Sequence, residues 1–261
     1  MNDTFTQTYL TKSLAVIAQE IQQPSQEGPS ESSQLADLLS RYSKSLRRAL
    51  FLGLAGDGLP VLLDLSDPFP GPLLVTGDAA AARTALLKLI ARGIDLTHST
   101  SAVEYAVLSA HINDWKSFPA GTNSNGLFSI REPAAHQFIH SLVKWGHQNK
   151  GQSLSVVVLI DDLASVLEEA GSFVLDLRWL FSRGPSRRIW PIVALDSSSA
   201  PQMSVWLEFF RSRIFGRIID KELGLILAGD SASILEGLVP ANEFALREAD
   251  AWLRVRIPET E

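Results

Sequence analysis

From Leu50 onward, short apolar runs alternate with longer stretches whose apolar residues recur at helical spacing, and this constrains the fold more than any other feature of the chain. LFLGLA and PVLLDL flank a Gly-Asp-Gly turn at 56–58, the pattern of a hairpin. PLLVT at 72–76 reads as a buried strand, and the Ala- and Leu-rich stretch 79–92 as a helix. Strands are expected at 105–108 and 127–130, then a helix opened by Pro133 that runs through Phe138, Ile139, Leu142 and Val143. SVVVLIDD is a strongly apolar strand ending in two carboxylates. A helical stretch at 163–181, interrupted by Gly171, precedes the strand IWPIVAL, a helix at 205–211 and a strand at 214–219. The tail reads as a short helix near Ile234 and a strand at 252–257. Parallel strands need helical crossovers, so this alternation predicts an α/β domain with a mostly parallel sheet. Ligands in such sheets bind at the carboxyl ends of the strands. That directs attention to the residues after PLLVT and after SVVVLI.

Residues 1–49 read differently, as a helical arm and polar linker ahead of a main domain at 50–261. A helix is expected at 13–21, then the linker PSQEGPSESS. A second helix is expected through Leu35, Leu38, Leu39, Tyr42, Leu46 and Leu50. The arm is expected to pack on the main domain or on a partner.

Composition removes several function classes. The 261 residues include no cysteine, which excludes disulfides, cysteine nucleophiles and thiolate zinc sites. No run reaches the roughly 18 apolar residues of a membrane span. MNDTFTQTYL has no basic start followed by an apolar block, so no secretory leader is expected. A cytoplasmic protein with no membrane partner is the expectation. The net charge of -6 does not draw nucleic acid to the molecule as a whole. Its one basic stretch, 176–220, has seven Arg against four Asp or Glu, including Arg178, Arg183, Arg187 and Arg188. Contact with DNA is therefore expected to be weak.

Two motifs carry chemistry. Gly77-Asp78-Ala79-Ala80-Ala81-Ala82-Arg83-Thr84 lies between a predicted strand and helix, in the frame G-x-x-x-x-G-K-[ST] of a phosphate-binding P-loop. Val157-Val158-Leu159-Ile160-Asp161-Asp162 has the form of a Walker B strand, in which the first acid holds magnesium and the next group polarises water.

With these motifs in place, the chain resembles the FtsK/SpoIIIE and HerA group of P-loop DNA-pumping ATPases over roughly residues 50–258. LGLAGDGLPVLLDL followed by GPLLVTG is similar to the hairpin and P-loop strand of that group, and EYAVLS to its second core strand. FSIREPAAHQFIHSLVKW resembles the segment ahead of Walker B, LIDDLASVL the Walker B block, and WLFSRGPSRRIWPIVALDSSSAP the helix, loop and strand that follow. RSRIFGRI and LAGD resemble the last shared blocks. The resemblance implies a RecA-like P-loop NTPase fold, with residues 77–84 at the nucleotide. It places Thr84 and Asp161 at a magnesium ion and Asp162 as the catalytic acid of an active enzyme.

The departures fall where the chemistry would be done. Ala82 stands at the second loop glycine, Arg83 at the loop lysine, and Asp196 where the family usually has Gln. Asp78 adds a carboxylate beside the phosphates, and Asp162 is one methylene shorter than the usual Glu. Four alanines in a row prefer helix, and Asp78 is a candidate N-cap for one beginning at Ala79. Arginine is a planar fork and does not replace a compact ammonium. Two function classes stay open. One is a pseudo-ATPase that needs no cofactor and acts in protein assembly, with a protein partner or as a homo-oligomer. The other is an ATP-dependent, DNA-translocase-type motor using Mg-ATP.

Other constellations add little. His136, His140 and His147 share helical spacing, but HQFIH lacks the glutamate of the zinc-protease motif, and exposed histidines are expected. No G-x-S-x-G elbow is present. The six tryptophans read as core or interface.

Overall fold

The computed structural model describes residues 35–149, 153–168, 171–229, 233–248 and 251–258. The expected helix at 13–21 and the linker after it lie outside the described residues. The arm leucines fold as α1 (Leu35–Arg41) and α2 (Ser43–Leu46), and not as one helix reaching Leu50. Leu50 belongs instead to β1 (Ala49–Ala55), which turns back into β2 (Pro60–Asp64) through the expected tight turn.

β3 (Leu73–Gly77) then leads into α3 (Ala80–Thr97), which ends five residues beyond the expected 92, and β4 (Val103–Ser109). β5 (Ser124–Ser129) precedes α4 (Pro133–Gln148), with Pro133 in its first turn. β6 (Ser155–Ile160) is followed by α5 (Leu163–Leu167) and α6 (Ser172–Arg183). Gly171 divides these two helices at φ 81°, a left-handed conformation that glycine adopts at no steric cost. β7 (Ile189–Asp196) enters a 3-10 helix, Ser197–Met203, and a four-residue α7 (Ser204–Leu207) where one helix at 205–211 was expected. β8 (Ser212–Phe215) begins before the expected 214 and ends at Phe215. The chain closes with α8 (Lys221–Ala228), α9 (Ser233–Glu236), β9 (Glu243–Glu248) and β10 (Ala251–Arg256).

All ten strands form one sheet in the order β2-β1-β10-β9-β8-β3-β7-β6-β4-β5. The six from β8 to β5 pair in parallel, and the remainder pair antiparallel. Central strands are buried on both faces, which is why they read as continuous apolar runs. Side chains alternate across the sheet, so Val157 and Leu159 of β6 pack on the α3 side, with the arm leucines. Val156, Val158 and Ile160 pack on the side covered by α4 and α6. β7 lies between β3 and β6, which sets the tips of those two strands one strand apart. Among the described residues, no helix is long and apolar enough to cross a membrane.

Candidate functional site

The carboxyl ends of the parallel strands bring the candidate residues together. Gly77 ends β3, Ser109 ends β4 and Asp196 ends β7, while Asp161 follows β6 directly. Only Asp78 and Ala79 separate β3 from α3, so Ala80, Ala81, Ala82, Arg83 and Thr84 are already helical. The helix preference of the alanine run prevails over an open loop.

Asp78 does not cap that helix. The N-cap is Ala79 (φ -87°, ψ 106°), with no side-chain hydrogen bond. The Asp78 carboxylate instead accepts from the Ser197 hydroxyl and from the Ile219 backbone N–H at 2.9 Å, while its own N–H donates to Arg217 O at 2.8 Å. Asp78 thus ties the β3 tip to the segments after β7 and β8. Gly77 serves the same junction: a Cβ there would lie 3.0 Å from Gly216 Cα and 3.2 Å from Arg217 O. The glycine shared with the P-loop frame therefore has a packing role of its own.

Arg83 is the main departure from a phosphate cradle. Its side chain is buried, its Nη1 donates to Gly77 O, and its Nη2 lies 3.0 Å from Asp196 Oδ2. The two substituted positions, 83 and 196, thus neutralise each other at the β3 tip. Burial alone would raise the Asp196 carboxyl, but the Ser198 hydroxyl and N–H, together with Arg83, outweigh it and hold the group below the usual carboxylate range.

The magnesium-side pair is also in contact, with Thr84 Oγ1 donating to Asp161 Oδ1 at 2.8 Å. The other carboxylate oxygen accepts from Trp115 Nε1 at 2.6 Å and from Ser109 Oγ at 3.4 Å. Burial pushes the Asp161 carboxyl up, and the nearby Asp114 charge adds to the rise. The three donors oppose it without cancelling it. Asp162 points elsewhere: it caps α5, accepting from Ala164 N at 3.0 Å and from Ser165 Oγ at 2.5 Å. The oxygens of Thr84 and Asp161 suit a hard cation. A ring of backbone N–H groups turned toward a triphosphate, which a P-loop supplies, is not formed among the described residues, because α3 begins at Ala80.

Trp115 was not legible as a site residue. It sits in the 3-10 turn Ile112–Trp115, and only the tertiary fold brings its indole to Asp161. The histidines separate: His136 stacks on Phe173 at 4.1 Å, His140 meets Asp176 at 3.0 Å, and His147 lies against Trp179 at 4.6 Å. In the basic stretch, Arg178 lies over Trp206 and Arg188 reaches Ser153 O and Ser155 Oγ.

No family model matches the chain, and no curated protein matches it. Solved structures do match. Thermomonospora curvata EccC (ATPases 2 and 3), in complex with a signal sequence peptide, aligns over 91% of this chain and 45% of its own, with 14% identity and a TM-score of 0.69. The cytoplasmic domain of EssC aligns over 96% of this chain and 51% of its own, with 14% identity and a TM-score of 0.65. The pCW3 conjugation coupling protein TcpA, in a monomer form with ATPγS, aligns over 96% and 81%, with 10% identity and a TM-score of 0.64. The chain spans about half the length of the first two. At such identities the likeness is one of fold. The chain has the mixed α/β, RecA-like fold of FtsK/SpoIIIE-type P-loop ATPase domains.

Proposed function

We propose that this chain is a pseudo-ATPase: an FtsK/HerA-like P-loop domain with a degenerate nucleotide site that acts in protein assembly. Residues 1–49 serve as an arm, and 50–261 as the P-loop-type domain. The observation that carries this reading is the Arg83–Asp196 pair at the β3 tip, where the loop lysine of an active relative would meet phosphate. A guanidinium whose charge is already matched by a carboxylate, and which is also tied to a carbonyl, is directed at protein partners rather than at a phosphate. The start of α3 at Ala80 supports the same conclusion, because the first turn of a helix stands where a glycine-rich loop would curl its N–H groups around a triphosphate. Asp162, engaged as a helix cap, is not free to polarise water. A protein partner accords with the peptide bound by EccC.

Phosphoryl transfer depends on positioned charge around the β- and γ-phosphates. The expected result is therefore no phosphate release from Mg-ATP above that of buffer. Turnover by the wild type that Asp161→Ala abolishes would contradict the proposal.

One observation favours a second reading, an ATP-driven motor of the DNA-translocase type: Thr84 and Asp161 keep the magnesium-side contact at 2.8 Å. In that reading the Arg83–Asp196 pair opens when Mg-ATP arrives. The turnover assay separates the two.

A further inference from the structure

Single exposed aliphatic side chains are ordinary on a protein surface, but a cluster of them marks an interaction surface. Five of the eight large apolar side chains exposed among the described residues belong to α6, α7, α8 and the approach to α8: Leu175, Val205, Ile219, Leu225 and Ile226. Three contacts make these helices one face. The Arg178 guanidinium lies over the Trp206 ring at 5.7 Å, joining α6 to α7. The 3-10 helix that runs into α7 packs against α8. Arg213 donates to Leu207 O at 2.8 Å and to Leu227 O, which ties the end of α7 to the end of α8.

Leu175 and Val205 project from this face, 66% and 59% exposed. Leu225 lines a groove of about 320 Å³ beside α8, and Gly224 leaves its wall open, since a Cβ there would meet nothing within 4 Å. Charge divides the face as well. On the α6–α7 side, the exposed Arg178, Arg183 and Arg211 outnumber Glu208. Around the groove, Asp220, Glu222 and Glu236 outnumber Lys221, which lies 3.8 Å from Glu236.

We propose that this face binds a second copy of the chain across a two-fold axis. A surface with an apolar centre, one basic end and one acidic end is self-complementary. Half a turn sets the basic end of each copy against the acidic end of the other. Leu175 and Val205 of each copy then seat over Leu225, Ile226 and the open groove of the other, which removes apolar surface from water. The chain itself carries the charge pattern that such a face requires of its partner, and this is why the occupant is a second copy. The dimer gives the assembly role a surface without resting on the state of the nucleotide site, so oligomeric state and Mg-ATP binding stand or fail independently.

Sedimentation equilibrium of the full chain tests the proposal from about 1 to 500 μM, the range in which interfaces of modest size associate. The expected result is a reversible shift from the 28.5 kDa chain to twice that mass, weakening as salt rises. Leu225→Glu should weaken association about tenfold or more. Arg178→Glu should do the same, because like charges then meet twice across the axis. Combining Arg178→Glu with Glu222→Arg exchanges the two ends within one chain and should recover most of that loss. These side chains are all exposed, so each variant should keep a melting temperature near that of the wild type, which separates lost association from lost fold. A monomer at every concentration would overturn the proposal, as would assemblies larger than a dimer. So would a dimer that either single substitution leaves intact, or the absence of recovery in the exchanged variant.

Discussion

Replacing Asp161 with alanine is expected to lower the free energy of unfolding by about 2–3 kcal/mol, because a buried donor then loses its acceptor. The indole N–H of Trp115, a residue only 3% exposed, is aimed at Asp161, and alanine removes that acceptor. Thr84 and Ser109 lose an acceptor in the same step. Asp161→Asn should behave differently. Its amide oxygen can accept from Trp115 while its amide nitrogen donates to the Thr84 hydroxyl, which rotates to receive it.

The pH dependence has a definite sign. Burial raises the folded-state carboxyl of Asp161 above its unfolded value, so protonation favours the fold. This contribution is fully present below the ordinary carboxylate value of about 4 and is lost as pH rises through the folded value. At neutral pH Asp161→Asn should therefore lie within about 1 kcal/mol of the wild type, and it should lack this contribution in acid. Urea unfolding of the three proteins checks the ordering. Equal losses for alanine and asparagine would show that the Trp115 contact contributes nothing.

The second large effect concerns the ion pair. Asp196→Ala should cost about 2–3 kcal/mol, of which about 1 comes from the lost cap at Ser198 and the rest from leaving the buried Arg83 without its carboxylate. The ion-pair part is smaller than for a fully buried pair because 36% of the Asp196 side chain faces solvent. Adding Arg83→Met should recover much of that part, since the unpaired charge is gone. The double variant should therefore be more stable than Asp196→Ala alone, and strictly additive losses would contradict the coupling. Asp196 is held below its ordinary value. Its contribution is thus present above pH about 4 and lost as pH falls through the folded value.

The central strands were legible because burial on both faces leaves an apolar run, as in SVVVLI, that needs no context to recognise. β9, EFALRE, was not: it is short, has charged residues within it and at its ends, and gains strand character only by pairing with β8 and β10. α8, KELGLILA, was missed because Gly224 interrupts its helical pattern and its apolar residues run on without a polar face. At the site, local motifs identified Thr84 and Asp161, the two groups that sit in recognisable frames. The partners that define the chemistry lie far along the chain: Asp196 for Arg83, Ser197 for Asp78, and Trp115 for Asp161. No local pattern marks such pairs, and Asp78 shows the consequence. Its position favoured a helix cap, but the fold placed stronger partners within reach on Ser197 and Ile219.

The central claim is that the Arg83–Asp196 pair and the early start of α3 leave no place for a triphosphate. Calorimetric titration of the wild-type chain with Mg-ATP tests it most directly, alongside the variant carrying Ala82→Gly and Arg83→Lys. Glycine frees the backbone at 82, and lysine removes the fork that bridges Gly77 and Asp196. The account predicts no saturable heat from the wild type, whatever the double variant does. Affinity gained by that variant would identify Arg83 and Ala82 as the block, and continued silence would assign it to Asp78 and the helical path of residues 80–84. Tight, saturable binding of Mg-ATP by the wild type would contradict the account.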